Sequence, residues 1–153
     1  MEKSNPPQAR NALPYTRPQM TAPLRDLTRL VKAMAHPARL RILAMLEGGE
    51  LCGCQLAAAL GLAPSTVSAH LAELRRAGLV LEEKRAKFVF YALSEEPAAR
   101  AWHADAIAAL RGDAAVEADR ALVSRIRKVP VERFAASGGD LSLLPAHPAR
   151  GRG

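Results

Sequence analysis

Aromatic residues are scarce, at 4% of the chain with a single Trp. That excludes the aromatic-rich core of many β-sandwiches. Cysteine is scarcer: Cys52 and Cys54 are the only two, one residue apart. They cannot build a disulfide framework, and a ring closed across one intervening residue would be strained. No apolar run approaches the ~20 residues that a helix needs to cross a bilayer. Residues Met1 to Met20 lack the apolar h-region of a secretory signal. There is no P-loop, no GxGxxG, no C-x-x-C and no nucleophile beside a plausible base, so no catalytic constellation is present and no enzyme is expected. Acidic residues are also short, 15 against 22 Lys and Arg, which leaves a net charge of +7. A basic balance of this size permits nucleic-acid binding without proving it. What the sequence has in plenty is alanine within a 49% hydrophobic composition, and alanine favours helix. The 153 residues therefore read as one small, soluble, cytoplasmic, helix-rich domain with tails.

Proline and glycine mark the boundaries. Pro6, Pro7, Pro14 and Pro18 among polar residues make 1–22 a disordered N-terminal arm. Gly138, Gly139, Pro145, Pro148 and a Gly-Arg-Gly end make 136–153 a flexible C-terminal tail. The folded unit is 23–135. Its first helix runs from about Pro23 to Met34, with Leu24, Leu27, Leu30, Val31 and Met34 as an apolar stripe. A second runs from Pro37 to near Glu47, turning Leu40, Leu43 and Leu46 inward, and stops at Gly48-Gly49. A third covers about Gly53 to Leu60. A fourth starts at Pro64 and stops at Gly78, burying Val67, Leu71 and Leu74. The period then changes. Leu79 to Lys84 and Phe88 to Leu93 are short strands joined by Arg85-Ala86-Lys87, a hairpin with a basic tip. Helices from Pro97 to about Leu110 and from Ala114 to Lys128 complete the order α-α-α-α-β-β-α-α, a mainly α, α+β arrangement.

The third helix, the turn Gly61-Leu62-Ala63 and the fourth helix have helix-turn-helix spacing. The fourth helix then leaves Ser65, Thr66, Ser68, His70 and Arg75 to meet bases or phosphates. A helix N-terminus itself favours phosphate. Taken alone, the pair could be an ordinary helical hairpin capped by hydroxyl side chains. The basic hairpin that follows weighs against that, because helix-turn-helix plus hairpin is a winged helix. Its tip residues Lys84, Arg85 and Lys87 are suited to the DNA backbone.

Four separated motifs carry a family resemblance over about residues 24–110. They are Leu30-Val-Lys-Ala-Met-Ala-His-Pro-Ala-Arg-Leu-Arg-Ile-Leu43, Glu50-Leu-Cys-Gly-Cys-Gln-Leu56, Ser65-Thr-Val-Ser-Ala-His-Leu71, and Ala77-Gly-Leu-Val80 with Phe88-Val-Phe-Tyr91. Together they resemble the arsenical-resistance repressor (ArsR/SmtB) family. The resemblance implies a winged-helix homodimer that represses its own resistance operon at palindromic double-stranded DNA and releases it on binding an inducer. It also implies that Cys52 and Cys54 hold trivalent arsenic, inorganic or organic, with no permanently bound cofactor. Soft thiolates suit such an ion, and a helix start favours the thiolate. If Cys52 and Cys54 both lay on the helix they would be about 200° apart, so chelation would require the first turn to unwind, with Gly53 easing it. The sequence departs from the family twice. Ala57 stands where a three-thiolate site has a further Cys, and Ala69 replaces a larger polar residue of the recognition helix. Zinc on the helix after the hairpin is disfavoured: His103 and Asp105 are there, but no second His precedes His147. The remaining alternatives are oxidant or persulfide sensing through the same cysteines, a non-inducible DNA-binding protein with inert cysteines, and a small arsenical carrier.

Overall fold

Prolines at the first helical turn start three of the helices, where a missing N–H costs nothing. The computed structural model describes residues 22–146, with α1 Leu24–Met34, α2 Pro37–Leu46, β1 Leu51–Cys52, α3 Gly53–Leu60, α4 Pro64–Arg76, β2 Val80–Arg85, β3 Phe88–Leu93, α5 Pro97–Ala109, α6 Ala114–Ile126 and α7 Val131–Ala136. A 3-10 turn, Leu141–Leu143, follows. The expected arm at 1–21 and the end of the expected tail, with His147, lie outside the described residues.

The six helices and two strands expected from periodicity are present in their expected order. Three elements are additional: β1, α7 and the 3-10 turn. β1 joins the hairpin to give an antiparallel sheet in the order β1-β3-β2, with Leu51 opposite Tyr91 and Cys52 opposite Phe90. The expected tail is also different in its first part. Leu144 is buried and the turn at Gly139 lies against Ala58 of α3, so 136–144 is packed onto the core, continuing from the fully buried Phe134 of the expected folded unit. Pro130 before Val-Glu-Arg-Phe, with Glu132 in the first turn, is a helix-start signal that announces α7.

Val67, Leu71 and Leu74 are buried, as the spacing of α4 requires. They meet the second half of α2, where Ile42, Leu43, Ala44, Met45 and Leu46 are all buried. α2 is thus surrounded, by α1, α4, α5 and α6, and not merely amphipathic. Leu40, expected inside with Leu43 and Leu46, is only half-buried. A paired charge fixes α6 to α2. Asp119, buried, accepts from Arg41 Nε at 2.6 Å and Arg41 Nη2 at 2.7 Å. Arg127, at the end of α6, donates to the carbonyls of Glu50 and Gly49, both at 2.7 Å, and so holds the turn that leads into β1. The α1 stripe behaves differently: Leu24 is 81% and Val31 47% exposed, leaving an apolar face uncovered in the single chain.

Candidate functional site

The two cysteines sit where β1 passes into α3. Pairing with β3 holds Cys52 in extended backbone, φ −70° and ψ 150°, so it is the N-cap of α3 rather than a helical residue. Its N–H donates to Gln55 Oε1 at 2.8 Å, and its sulfur accepts from the Cys54 N–H at 3.4 Å. The two sulfurs are 2.7 Å apart, with both cysteines free. The expectation that the first turn must unwind is therefore corrected: the strand pairing has already taken Cys52 out of the helix, and both sulfurs face one side. A Cβ on Gly53 would meet Tyr91 at an ordinary 3.6 Å.

The pair is electrostatically unequal. The Cys54 thiol donates to Cys52, which lowers the Cys52 pKa to about 6, and backbone N–H groups at the helix start help. The same hydrogen bond, burial and the Cys52 charge raise the Cys54 pKa. The hydrogen bond between them favours ionisation of one sulfur and retention of the proton on the other. Cys52 is buried and Cys54 half-buried. They open onto a cavity of about 300 Å³ bounded by Pro64, Val67 and Ser68 of α4, by Lys87 and Phe88 of the hairpin, and by Ala135 of α7.

The residues expected to meet DNA fall into two groups. Ser65, Thr66, Ser68 and Arg75 are exposed on α4, and Lys84 and Lys87 are exposed at the hairpin tip. Arg75 also reaches Glu82 at 3.4 Å. His70 and Arg85 are placed otherwise. The His70 ring lies 4.4 Å from that of His36, and Arg39 Nε donates to its Nδ1 at 3.5 Å, so His70 is half-buried between α4 and α2. Burial and the neighbouring His36 and Arg39 lower its pKa. Arg85 points back along the sheet. It donates to both carboxylate oxygens of Glu50, at 2.5 and 2.6 Å, and to Glu83 at 2.8 Å, with its guanidinium 4.7 Å from the Phe90 ring centre. Glu50 is two residues before Cys52, so this ion pair ties the hairpin to the strand that carries the cysteine. Sequence reading missed it because the partners are 35 residues apart.

The other described histidines, His36 and His103, have structural roles. His36 is the N-cap of α2, its Nδ1 accepting from the Ala38 N–H at 3.1 Å. His103 is buried, with Nε2 placed 3.0 Å from the Ser94 carbonyl, to which it donates. Among the described residues no three His, Cys, Asp or Glu side chains converge as a metal site. No described helix is long and apolar enough to cross a membrane.

Residues 36–81 match the family model described as bacterial regulatory protein, arsR family. The chain is 52% identical over 65 residues to the transcriptional activator HlyU of Vibrio cholerae, covering 42% of this chain and 60% of that protein. It is 46% identical over 79 residues to the arsenical resistance operon repressor of Escherichia coli, covering 51% and 66% respectively. It thus spans less than two thirds of the length of either relative. Among solved structures it is similar to the homodimeric winged helix-turn-helix DNA-binding domain of a possible ArsR-family regulator from Mycobacterium bovis, with 32% identity, a TM-score of 0.51, and coverage of 56% of this chain and 80% of that one.

Proposed function

We propose that this chain, which belongs to the arsR family of bacterial regulatory proteins, is a cytoplasmic, homodimeric transcriptional repressor that leaves its palindromic operator when a trivalent arsenical ties Cys52 to Cys54. One observation carries this reading: two sulfurs 2.7 Å apart, facing a cavity that is also lined by the start of α4 and by the hairpin, the elements expected to read DNA. Soft sulfur donors favour thiophilic ions over oxygen-seeking ones. The chain has only two cysteines, so it offers two thiolates per protomer. The third position on arsenic is filled by a group the arsenical brings, a hydroxyl for arsenite or a carbon substituent for an organoarsenical. The latter is expected to induce at least as well.

DNA binding rests on Ser65, Thr66, Ser68 and Arg75 along α4 and on Lys84 and Lys87 at the wing. The homodimer rests on the exposed stripe of α1, beside a groove that it shares with Ala99 and Trp102 of α5. The inducer acts by wedge and strand together. Cys52 belongs to a strand paired with the wing, and Cys54 opens toward the start of α4. A ligand across the two sulfurs fills space between α3, α4 and the wing, and so strains the DNA-reading geometry. A coupling of about 1–3 kcal/mol changes operator affinity by roughly 5- to 150-fold.

A second reading, oxidant or persulfide sensing, draws on the low Cys52 pKa: a thiolate beside a protonated thiol is also a redox pair. Fluorescence anisotropy on the DNA upstream of the gene decides between them. Cys52→Ser and Cys54→Ser should bind that DNA as the unsubstituted protein does and fail to release it with arsenite or a methylated or phenylated arsenical. Release by peroxide or a persulfide donor, with arsenicals inert, would favour the redox reading and defeat the arsenical one.

A further inference from the structure

The cavity beside the cysteines has one wall that belongs to neither the helix-turn-helix nor the wing. Ala135 of α7 lines it, and also lines a neighbouring cavity of about 450 Å³ reached past Cys54 and Pro64. This wall is firmly seated. Phe134, beside Ala135, is fully buried in the core. The Gly139 N–H donates to the Phe134 carbonyl at 3.1 Å, and Gly139 has φ +78°. A Cβ there would stand 3.3 Å from the Ala58 Cβ, so the turn after α7 lies tight against α3. The Ser137 hydroxyl donates to the Phe134 carbonyl at 2.7 Å and accepts from the Asp140 N–H at 3.2 Å. At the other end, Arg127 holds the start of the segment to the Glu50 and Gly49 carbonyls.

We propose that α7 is the fixed back wall of the arsenical site, and that the small side chain of Ala135 sets how large a substituent on arsenic the site accepts. The inference rests on the cysteine pair being the arsenical site, as above. Arsenite exchanges two As–O bonds for two As–S bonds, the two thiol protons leave with those oxygens as two waters, and its third oxygen stays. Phenylarsine oxide loses its one oxygen, with both thiol protons, as one water and keeps its phenyl group. Arsenic stays trivalent in both. The phenyl group then needs room that the hydroxyl does not, and the cavity that Ala135 lines together with Pro64 and Val67 supplies it. Because α7 is tied to the core, a bulky substituent presses on α4. Larger substituents should therefore release DNA at lower concentration, up to the limit that residue 135 sets.

The test titrates operator release by the full-length chain with arsenite and with phenylarsine oxide, at Ala135, Ala135→Val and Ala135→Phe. The unsubstituted chain should respond to phenylarsine oxide at the lower concentration. Ala135→Phe puts a ring into the same space, and should demand about tenfold more phenylarsine oxide while the arsenite response stays put. Ala135→Val should move the ratio of the two responses part of the way. It carries the test alone if Ala135→Phe does not bind operator. If both arsenicals release DNA and the ratio ignores residue 135, the wall is wrong and the cysteine site stands. If neither arsenical releases DNA from the unsubstituted chain, the cysteine site and the wall fall together.

Discussion

Cys52 belongs to three local structures at once: it caps α3, pairs with Phe90 of the wing, and accepts a hydrogen bond from Cys54. The last is the main cause of its low pKa. Removing the donor by Cys54→Ala should therefore raise the Cys52 pKa from about 6 toward the ordinary thiol value of about 8.5. Thiolate ultraviolet absorbance followed through a pH titration reads this directly. The sign is fixed by which form the donor favours: Cys54 S–H stabilises the charged sulfur, so losing it favours the proton. An unchanged midpoint would mean that the helix start alone sets the value. That the two thiols would lie close together was legible in the sequence, since one residue separates them. The geometry of the pair was not. Helical periodicity assigns Cys52 and Cys54 to opposite faces unless Cys52 lies outside the helix, and what puts it outside is a two-residue strand with a partner almost forty residues away. No local pattern marks such a strand.

At the scale of elements, α4 was the most legible part. Val67, Leu71 and Leu74 follow one face at helical spacing, and all three are buried. Leu71, 1% exposed, should cost about 2–5 kcal/mol when changed to Ala, measured by chemical denaturation. A cost below ~1 kcal/mol would contradict its place in the core. The wing was legible as an element, yet its charges were not. Three basic residues at the tip look alike in sequence, but Glu50 and Glu83 hold Arg85. Operator affinity measured against salt separates them. Lys84→Ala with Lys87→Ala should flatten the slope of log affinity against log salt by up to about 0.9 for each phosphate that the lysines no longer neutralise. Arg85→Ala should leave the slope nearly unchanged and instead loosen the link between the wing and the turn before Cys52. An Arg85 effect as large as that of the lysines would show that its ion pair opens on DNA. α7 escaped notice because six residues are too few for a helical period to show, although Phe134 within it is fully buried.

For the whole molecule, the single chain leaves apolar surface uncovered on α1, the face proposed to meet a second copy. Leu24 and Val31 protrude from α1, and the groove between α1 and α5 is lined by Leu27, Leu30 and Trp102. Val31→Asp places a charge on that face and should shift sedimentation from dimer to monomer and weaken operator binding sharply, since the palindromic operator proposed above would need both protomers. A variant that stays dimeric would move the interface elsewhere. The stripe itself was plain in the sequence, but its exposure was not, because an apolar face reads the same whether it covers a core or a partner. The C-terminal helices add a second feature of the whole: through Arg41 with Asp119 and through Arg127, they brace the framework against which the site works.

In the proposed mechanism, filling the cysteine pair and leaving DNA are one event. Its most direct measurement follows free thiols and operator occupancy in the same sample during titration with phenylarsine oxide. Cys52 and Cys54 should disappear together, at one arsenical per chain, and labelled operator should be released in step with them. Operator released while both thiols remain free, or both thiols consumed while the operator stays bound, would contradict it.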